Sequence, residues 1–191
     1  MVSKTFEVFY QLIPSAIGKI GIIWVQKNFA PLIMHIMLPP KDIPITEAIS
    51  KNYPSTSAQS HEKLKKLCLQ IQNFLEGSPV NFSLKFIDIM QCYDFQKKVL
   101  LETGQIPRGK VISYGRLADR ILAPGAARAV GSALAKNPFP LIIPCHRVVK
   151  STGYLGNFGG GPEMKKFLLN MEGVLPNARE KISPEKFLIG S

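Results

Sequence analysis

Near residue 93 the spacing of apolar residues changes, and no single uniform architecture suits both halves of this 191-residue chain. Ahead of that point Thr5 to Leu12 alternates, with Phe6, Val8, Tyr10 and Leu12 on one face, as in a half-buried strand. Two apolar runs follow, Ile20 to Val25 and Leu32 to Leu38, separated by a polar turn at Gln26-Lys27-Asn28. Residues 39–58 are rich in Pro, Ser and Thr and read as a loop. Ser60 then opens a helix whose apolar stripe is Leu64, Leu67, Cys68, Ile71, Phe74 and Leu75, closed by Gly77 and Pro79. Cys68 on that stripe reads as a structural thiol.

Beyond residue 93 the pattern is one of short helices punctuated by Gly and Pro. Asp94 caps a helix through Phe95, Val99 and Leu100 towards Gly104, and Ser113 caps a second with Leu117, Ala118 and Ile121. Ala123-Pro124-Gly125 breaks that helix, and a third runs from about Ala126 to Lys136, where Asn137-Pro138 ends it. Two short helices joined by a tight Gly-containing turn make a helix-turn-helix candidate. A last helix starts at Pro162, carries Met164, Phe167, Leu168 and Met171 on its inward stripe and ends at Gly173. The breaks set expected domains at 1–90 and 91–175, with a peripheral tail at 176–191.

No run of about 18 apolar residues exists, so a membrane-spanning helix is not expected. Charge enters within Met1 to Glu7, too soon for a secretory signal, which predicts an intracellular protein: cytoplasmic or, in a eukaryote, nuclear. Cys68, Cys92 and Cys145 are odd in number and widely spaced, which fits a reducing compartment and no disulfide framework. His35, His61 and His146 are equally scattered, so no metal site is expected. Residues 1–95 hold nine Lys/Arg against seven Asp/Glu, whereas residues 96–191 hold fifteen against six. A basic second half suits a polyanionic partner, nucleic acid most simply, although it also suits a merely soluble basic surface.

In the third helix Ala127, Val130 and Leu134 form one face, while Arg128, Gly131, Ser132 and Ala135 form the other. A mid-helix Gly costs about 1 kcal/mol relative to Ala. A face of tiny side chains with one Arg allows close approach to an outside surface or, equally, tight packing on a neighbouring helix. The Gly-rich segment from Gly153 to Gly161 lacks a phosphate-binding pattern but leaves room for a flat ligand.

The chemistry concentrates in Pro144-Cys145-His146-Arg147-Val148. A thiol attacks as thiolate, and basic neighbours favour that form. Adjacent side chains of an extended segment point opposite ways, so Cys145 and His146 would communicate through water. Glu172, at a helix C-terminus among apolar residues, needs a compensating partner, and His146 is a natural one. Cys145, His146 and Glu172 then have the logic of nucleophile, base and orienter, which by itself also describes a cysteine hydrolase.

With these residues on the page, the chain resembles the O6-alkylguanine-DNA alkyltransferases, also called methylated-DNA–protein-cysteine methyltransferases. Pro144-Cys145-His146-Arg147-Val148 matches the family signature. Ile106-Pro107-x-Gly109, Ser113-Tyr114-Gly115-x-Leu117-Ala118, Arg128-Ala129-Val130-Gly131-x-Ala133, Asn137-Pro138, and Gly156-Asn157 through Glu172-Gly173 stand in the family's order. The resemblance implies an α/β (α+β) protein with a ribonuclease-H-like N-terminal domain and a winged-helix C-terminal domain. It implies a monomer that binds double-stranded DNA bearing alkylated guanine, with no membrane partner and no cofactor. It further implies single-turnover transfer of the O6-alkyl group to Cys145, with O4-alkylthymine as a second candidate substrate and the base flipped into a pocket.

By the family's pattern His146 and Glu172 activate Cys145, Asn137 ties the recognition helix to it, and Tyr114 rotates the phosphate and donates to the leaving guanine. Arg128 takes the extruded base's place in the stack, with Ala127, Gly131, Ser132 and Ala135 at the minor groove and Ser151 on the DNA backbone. Leu134, Val148, Leu155, Gly156, Asn157, Phe158, Gly159 and Gly160 are the expected base pocket. The zinc site that some members carry is not supported here. Phe158 and Gly159 replace a frequent Tyr and Ser, which removes two hydroxyls and predicts room for larger O6 substituents. A lesion-binding module without transfer is the other reading, disfavoured by the presence of Cys145.

Overall fold

The computed structural model describes residues 7–188 of a chain of mixed helices and strands. It divides into two compact units, with the boundary between Gln91 and Cys92.

The first unit is built on a four-stranded sheet. Strands β1 (Val8–Ile13), β2 (Ile20–Lys27) and β3 (Ala30–Met37) form an antiparallel meander, and the short β4 (Ser57–Ala58) adds in parallel to β1. Thr5 and Phe6, expected at the start of the first strand, lie outside the described residues. Ile20 to Val25 are all buried, as a continuous apolar run in a central strand requires. The β2–β3 turn falls at Asn28-Phe29, later than its polar residues suggest, and both residues have positive φ (50° and 60°). Two left-handed residues are what a two-residue hairpin needs for its twist to match the strands.

The segment 39–58 is not a loop throughout. Helix α1 (Ile45–Asn52) occupies its middle and buries Ile45, Ala48 and Ile49 against Ile23 and Met37. Three inward residues in two turns are too few for periodicity to show among flanking prolines and serines. The helix lies close on β2: a Cβ at Gly21 would stand 3.0 Å from Ile49. Helix α2 (Lys65–Leu75) buries Leu67, Ile71, Phe74 and Leu75. A single 3₁₀ turn leads into it, capped by His61 rather than Ser60. Cys68 is half-buried and accepts a hydrogen bond from Gln11 Nε2 at 2.7 Å.

In the second unit α3 (Asp94–Gly104), α4 (Tyr114–Arg120) and α5 (Ala127–Ala135) pack together. The α3 residue Gln96 donates to the Ala133 and Lys136 carbonyls, closing the C-terminus of α5. Asp94 is the first residue of α3 rather than its cap and pairs with Lys97 at 2.8 Å. Ser113 does cap α4, its Oγ accepting from Arg116 N at 3.2 Å. Strand β5 (Ile112–Ser113) pairs in parallel with β6 (Val148–Val149), which brings the start of α4 beside the Cys145 segment.

Helix α6 (Gly161–Met171) presents a different face from the expected Met164, Phe167, Leu168 and Met171 stripe. Its buried residues are Lys165, Leu168 and Leu169, and Glu172 at its C-cap extends the same i, i+3, i+4, i+7 face. Charges at both ends of that face disguise it in the sequence. The residues after 175 are not peripheral to this unit: Ile182 is buried with Val111, Val149, Leu169 and Val174, and Phe187 bridges to Val111.

Candidate active site

The local backbone presents Cys145 on a 3₁₀ turn, Cys145–Arg147, rather than on an extended segment. Pro144 precedes it, Cys145 N donates to Ile143 O, and Arg147 N donates to Pro144 O. The turn still separates the two side chains by function. Cys145 lines a cavity of about 810 Å³, while the His146 ring is wholly buried and points Nε2 at Glu172 Oε1, 3.0 Å away.

Glu172 holds more than His146. Arg147 Nε donates to Oε2 at 2.9 Å and Nη2 to Oε1 at 2.8 Å, a two-pronged pair, and Nη1 reaches Ile106 O. Burial pushes the Glu172 carboxyl up, but the hydrogen bonds and charges of His146 and Arg147 outweigh it and hold the carboxyl down at about 2. Burial also lowers His146, against the opposing pull of Glu172, so the imidazole is neutral near pH 7. With Nε2 turned to Glu172, Nδ1 is the second ring nitrogen, buried like the rest of the side chain.

Cys145 is raised by burial, while the Asn137 hydrogen bond and the Lys165 charge pull it back. Asn137 follows the end of α5 and spends its amide fully. Its Nδ2 donates to Cys145 Sγ at 3.2 Å and to Ile143 O at 3.1 Å, and its Oδ1 accepts from Phe139 N at 2.9 Å. One side chain thus ties the helix to the nucleophile.

The cavity collects most of the residues expected of it. From α4 and α5 come Tyr114, Ala127, Arg128, Gly131, Ser132, Leu134 and Ala135. Ser151, Gly156, Asn157, Phe158 and Gly159 line it from the loop ahead of α6. Ala127, inward by helical spacing but at the groove by the family's pattern, lines the cavity, and Ala133 is the alanine buried in the core. Three expected pocket residues do not line it. Val148 is fully buried in β6, Leu155 packs on the Val111 cluster, and Gly160 caps α6, where a Cβ would collide with Met164 Sδ. The Phe158 ring stands edge-on to His146, centroids 6.5 Å apart. A Cβ at Gly156 (φ +74°) would come within 3.0 Å of the Tyr114 hydroxyl, so glycine there leaves Tyr114 its place.

Gly115, Lys150 and Thr152 also line the cavity. Sequence reasoning gave them no place in the pocket and Lys165 no part in the site, and took Arg147 only as a basic neighbour of the thiol. Arg147 carried a signal, being the second cation beside His146 and able to share the misplaced Glu172. Lys165 Nζ is buried and donates to Val148 O at 2.6 Å and Asn157 O at 3.4 Å.

The family described as 6-O-methylguanine DNA methyltransferase, DNA binding domain, matches residues 94–174. The methylated-DNA–protein-cysteine methyltransferase of Methanothermobacter thermautotrophicus is 37% identical over 172 residues, covering 90% of this chain and 89% of that protein. Its counterpart of the same name in Mycobacterium tuberculosis is 51% identical over 103 residues, 54% of this chain and 61% of that protein. The crystal structure of Mycobacterium tuberculosis OGT in complex with DNA superposes with a TM-score of 0.70 at 29% identity, covering 86% of this chain and 92% of that one. A relative of similar length, alike over nine-tenths of both chains and sharing the thiol segment's family, leaves one assignment: the chain belongs to the methylated-DNA–protein-cysteine methyltransferase family.

Proposed function

We propose that the protein repairs DNA by direct reversal, taking the alkyl group from O6-alkylguanine in duplex DNA onto Cys145 once and irreversibly. One observation carries the reading: the cavity that exposes the thiol is walled by the small-residue face of α5. That face is not small for internal reasons. A Cβ at Gly131 would meet only the Tyr114 ring at 3.8 Å, an ordinary contact, so packing within the protein does not demand glycine. Close approach of a DNA groove does. A base in the helix cannot reach a buried thiol and must be flipped out, and exposed Arg128 is placed to fill the gap.

The step is a displacement at the alkyl carbon. The thiol proton passes through water to His146 Nδ1, with ionised Glu172 accepting from Nε2–H and so orienting the ring. The S–C bond forms as the C–O6 bond breaks, the electron pair leaves on guanine, and Tyr114 donates a hydrogen bond to the departing base. The product thioether has no low-barrier route back to thiol, so each protein acts once. In the same reading the protein acts as a monomer, Ser151 meets the DNA backbone, the first unit is the ribonuclease-H-like domain, and α4–α5 are the helix-turn-helix of a winged-helix domain.

The test is to mix the protein with duplex DNA carrying O6-methylguanine and weigh the Cys145 peptide. One methyl gained per protein is expected, and binding without modification would overturn the reading in favour of a lesion-binding module. Cys145→Ser should abolish transfer and keep binding, and binding should weaken with salt because releasing counterions from the phosphates gains less entropy into a more concentrated solution. An O4-methylthymine duplex tests the second substrate in the same assay.

A further inference from the structure

Glu172 is the C-cap of α6, and the last turn of that helix carries no basic residue to offset the negative end of its dipole. The cation comes from another element. Half-buried Arg108, in the turn at 107–110 between α3 and β5, donates from Nη2 to Met171 O at 2.6 Å. The two preceding carbonyls, of Leu169 and Asn170, are met by the backbone N–H groups of Glu172, Gly173 and Val174, and Arg108 meets the next one. The same stretch of chain touches the Glu172–Arg147 pair twice more. Ile106 O accepts from Arg147 Nη1. Gly109, at φ +78°, lies so close that a Cβ there would stand 3.3 Å from Glu172 O.

A cation at a helix C-terminus stabilises that end, and one that grips the carbonyl next to a carboxylate also fixes where the carboxylate is held. We propose that Arg108 is a positioning residue for the transfer: it pins the end of α6 so that the Glu172 carboxylate stays seated between His146 and Arg147. Arg108 stands outside the cavity that exposes the thiol, so it meets neither the base nor the reacting atoms. Its effect runs from Met171 O to Glu172, and from Glu172 to the His146 ring at 3.0 Å. A small angular error at the end of a chain of hydrogen bonds is enough to misplace the group that takes the thiol proton. The inference rests on Cys145 being the alkyl acceptor and on Glu172 orienting His146.

An arginine that merely stapled α6 would, when lost, lower the melting temperature and leave the rate of the folded protein alone. As a positioning residue its loss in Arg108→Met should slow single-turnover methyl transfer at saturating duplex by about tenfold, the size of a charge effect at a partly buried helix terminus. The dissociation constant for the duplex should not change. Arg108→Lys, which keeps a cation near the Met171 carbonyl, should recover most of the rate. The Arg108→Met/Glu172→Gln double variant should be no slower than Glu172→Gln alone, because both changes empty the same seat. Full-rate transfer in Arg108→Met, an Arg108→Lys protein as slow as Arg108→Met, or losses that multiply in the double variant would overturn the proposal. Where Arg108→Met does not fold, Arg108→Gln, which keeps a donor without the charge, takes its place and the same outcomes decide. Failure of the unsubstituted protein to accept methyl from an O6-methylguanine duplex sinks the parent reading instead. The comparison is then read from iodoacetamide alkylation of Cys145, where the same order and the same overlap with Glu172→Gln are expected.

Discussion

The two units bury different chemistry. The first buries apolar side chains, with Trp24, Phe74 and the isoleucines of β2 at its centre, whereas every polar or charged side chain buried among the described residues belongs to the second. Three of these serve the backbone: Gln96 closes α5, Ser113 caps α4, and Thr103 bonds to Val99 O. The other four, His146, Arg147, Lys165 and Glu172, are ionisable and gather behind Cys145. Burying charge rarely improves stability over an apolar core. The first unit is therefore packed for stability, and the second gives up stability around one thiol.

The largest effect that would break this contrast comes from one substitution in each unit. Glu172→Gln leaves Arg147 buried without its anion and His146 without its orienting charge. A stability loss of about 3 kcal/mol or more and at least about a hundredfold loss of single-turnover methyl transfer are expected. Phe74→Ala in the first unit should cost about 3–5 kcal/mol and leave the transfer rate of the folded protein unchanged. Stopped-flow transfer beside denaturant unfolding checks both. Equal kinetic damage from the two would end the division of labour argued above.

Acid should separate the units next. Glu172 titrates at about 2 when folded, below its ordinary 4.5. Its stabilisation is complete above about pH 4.5 and disappears as pH falls through about 2, at most about 3 kcal/mol in all. His146, lowered by burial, acts with the same sign, its contribution being lost as pH falls below its ordinary 6.5. His35 gives the first unit a counterpart to His146 but no buried carboxylate pair. Trp24, the only tryptophan, reports the first unit by fluorescence, and hydrogen exchange at α6 reports the second. Protection at α6 should fall first on acidification, and the gap between the probes should shrink in Glu172→Gln.

Much of the site was legible because its residues break local rules. A carboxylate at a helix C-terminus, a glycine inside a helix and a thiol between Pro and His each invite a reason that a surface residue does not. Lys165 broke no such rule. Beside Lys166 it reads as part of a solvated stripe, and only the packed position of α6 shows that Lys165, Leu168, Leu169 and Glu172 share the inner face. Helix α1 was hidden for the opposite reason, since its inward residues are few and its flanks are turn-forming. The continuous apolar run from Ile20 to Val25, by contrast, reads as a strand, and β2 is that strand, buried along the whole run.

Gly131→Ala sharpens the contrast within the second unit. Open space around the added methyl, with the Tyr114 ring at 3.8 Å, lets the helix gain about 0.5–1 kcal/mol from the better helix former. Duplex binding should nevertheless weaken, because the methyl stands on the face proposed to meet the groove. Thermal melting and a fluorescence-anisotropy titration should move in opposite directions. If binding is unchanged, α5 does not meet the groove through this face.

The smallest effect compares two turn tips, one in each unit. Phe29, 90% exposed at φ +60°, ends the β2–β3 hairpin, and Leu122, 91% exposed at φ +59°, follows α4. Leu122 occupies the left-handed position of a helix stop in which Ala123 N bonds to Ala118 O and Leu122 N to Asp119 O. Neither side chain buries surface to offset a conformation that costs an L-residue about 1–2 kcal/mol. Glycine avoids that strain but adds freedom to the unfolded chain, so Phe29→Gly and Leu122→Gly should each gain only about 0.5–1 kcal/mol. The two gains should add in the double variant, because each turn belongs to its own unit and, among the described residues, the two share no hydrogen-bond partner. Urea unfolding of the singles and the double measures this. A loss of stability in Leu122→Gly would mean that its side chain makes a contact in solution that its exposure does not suggest.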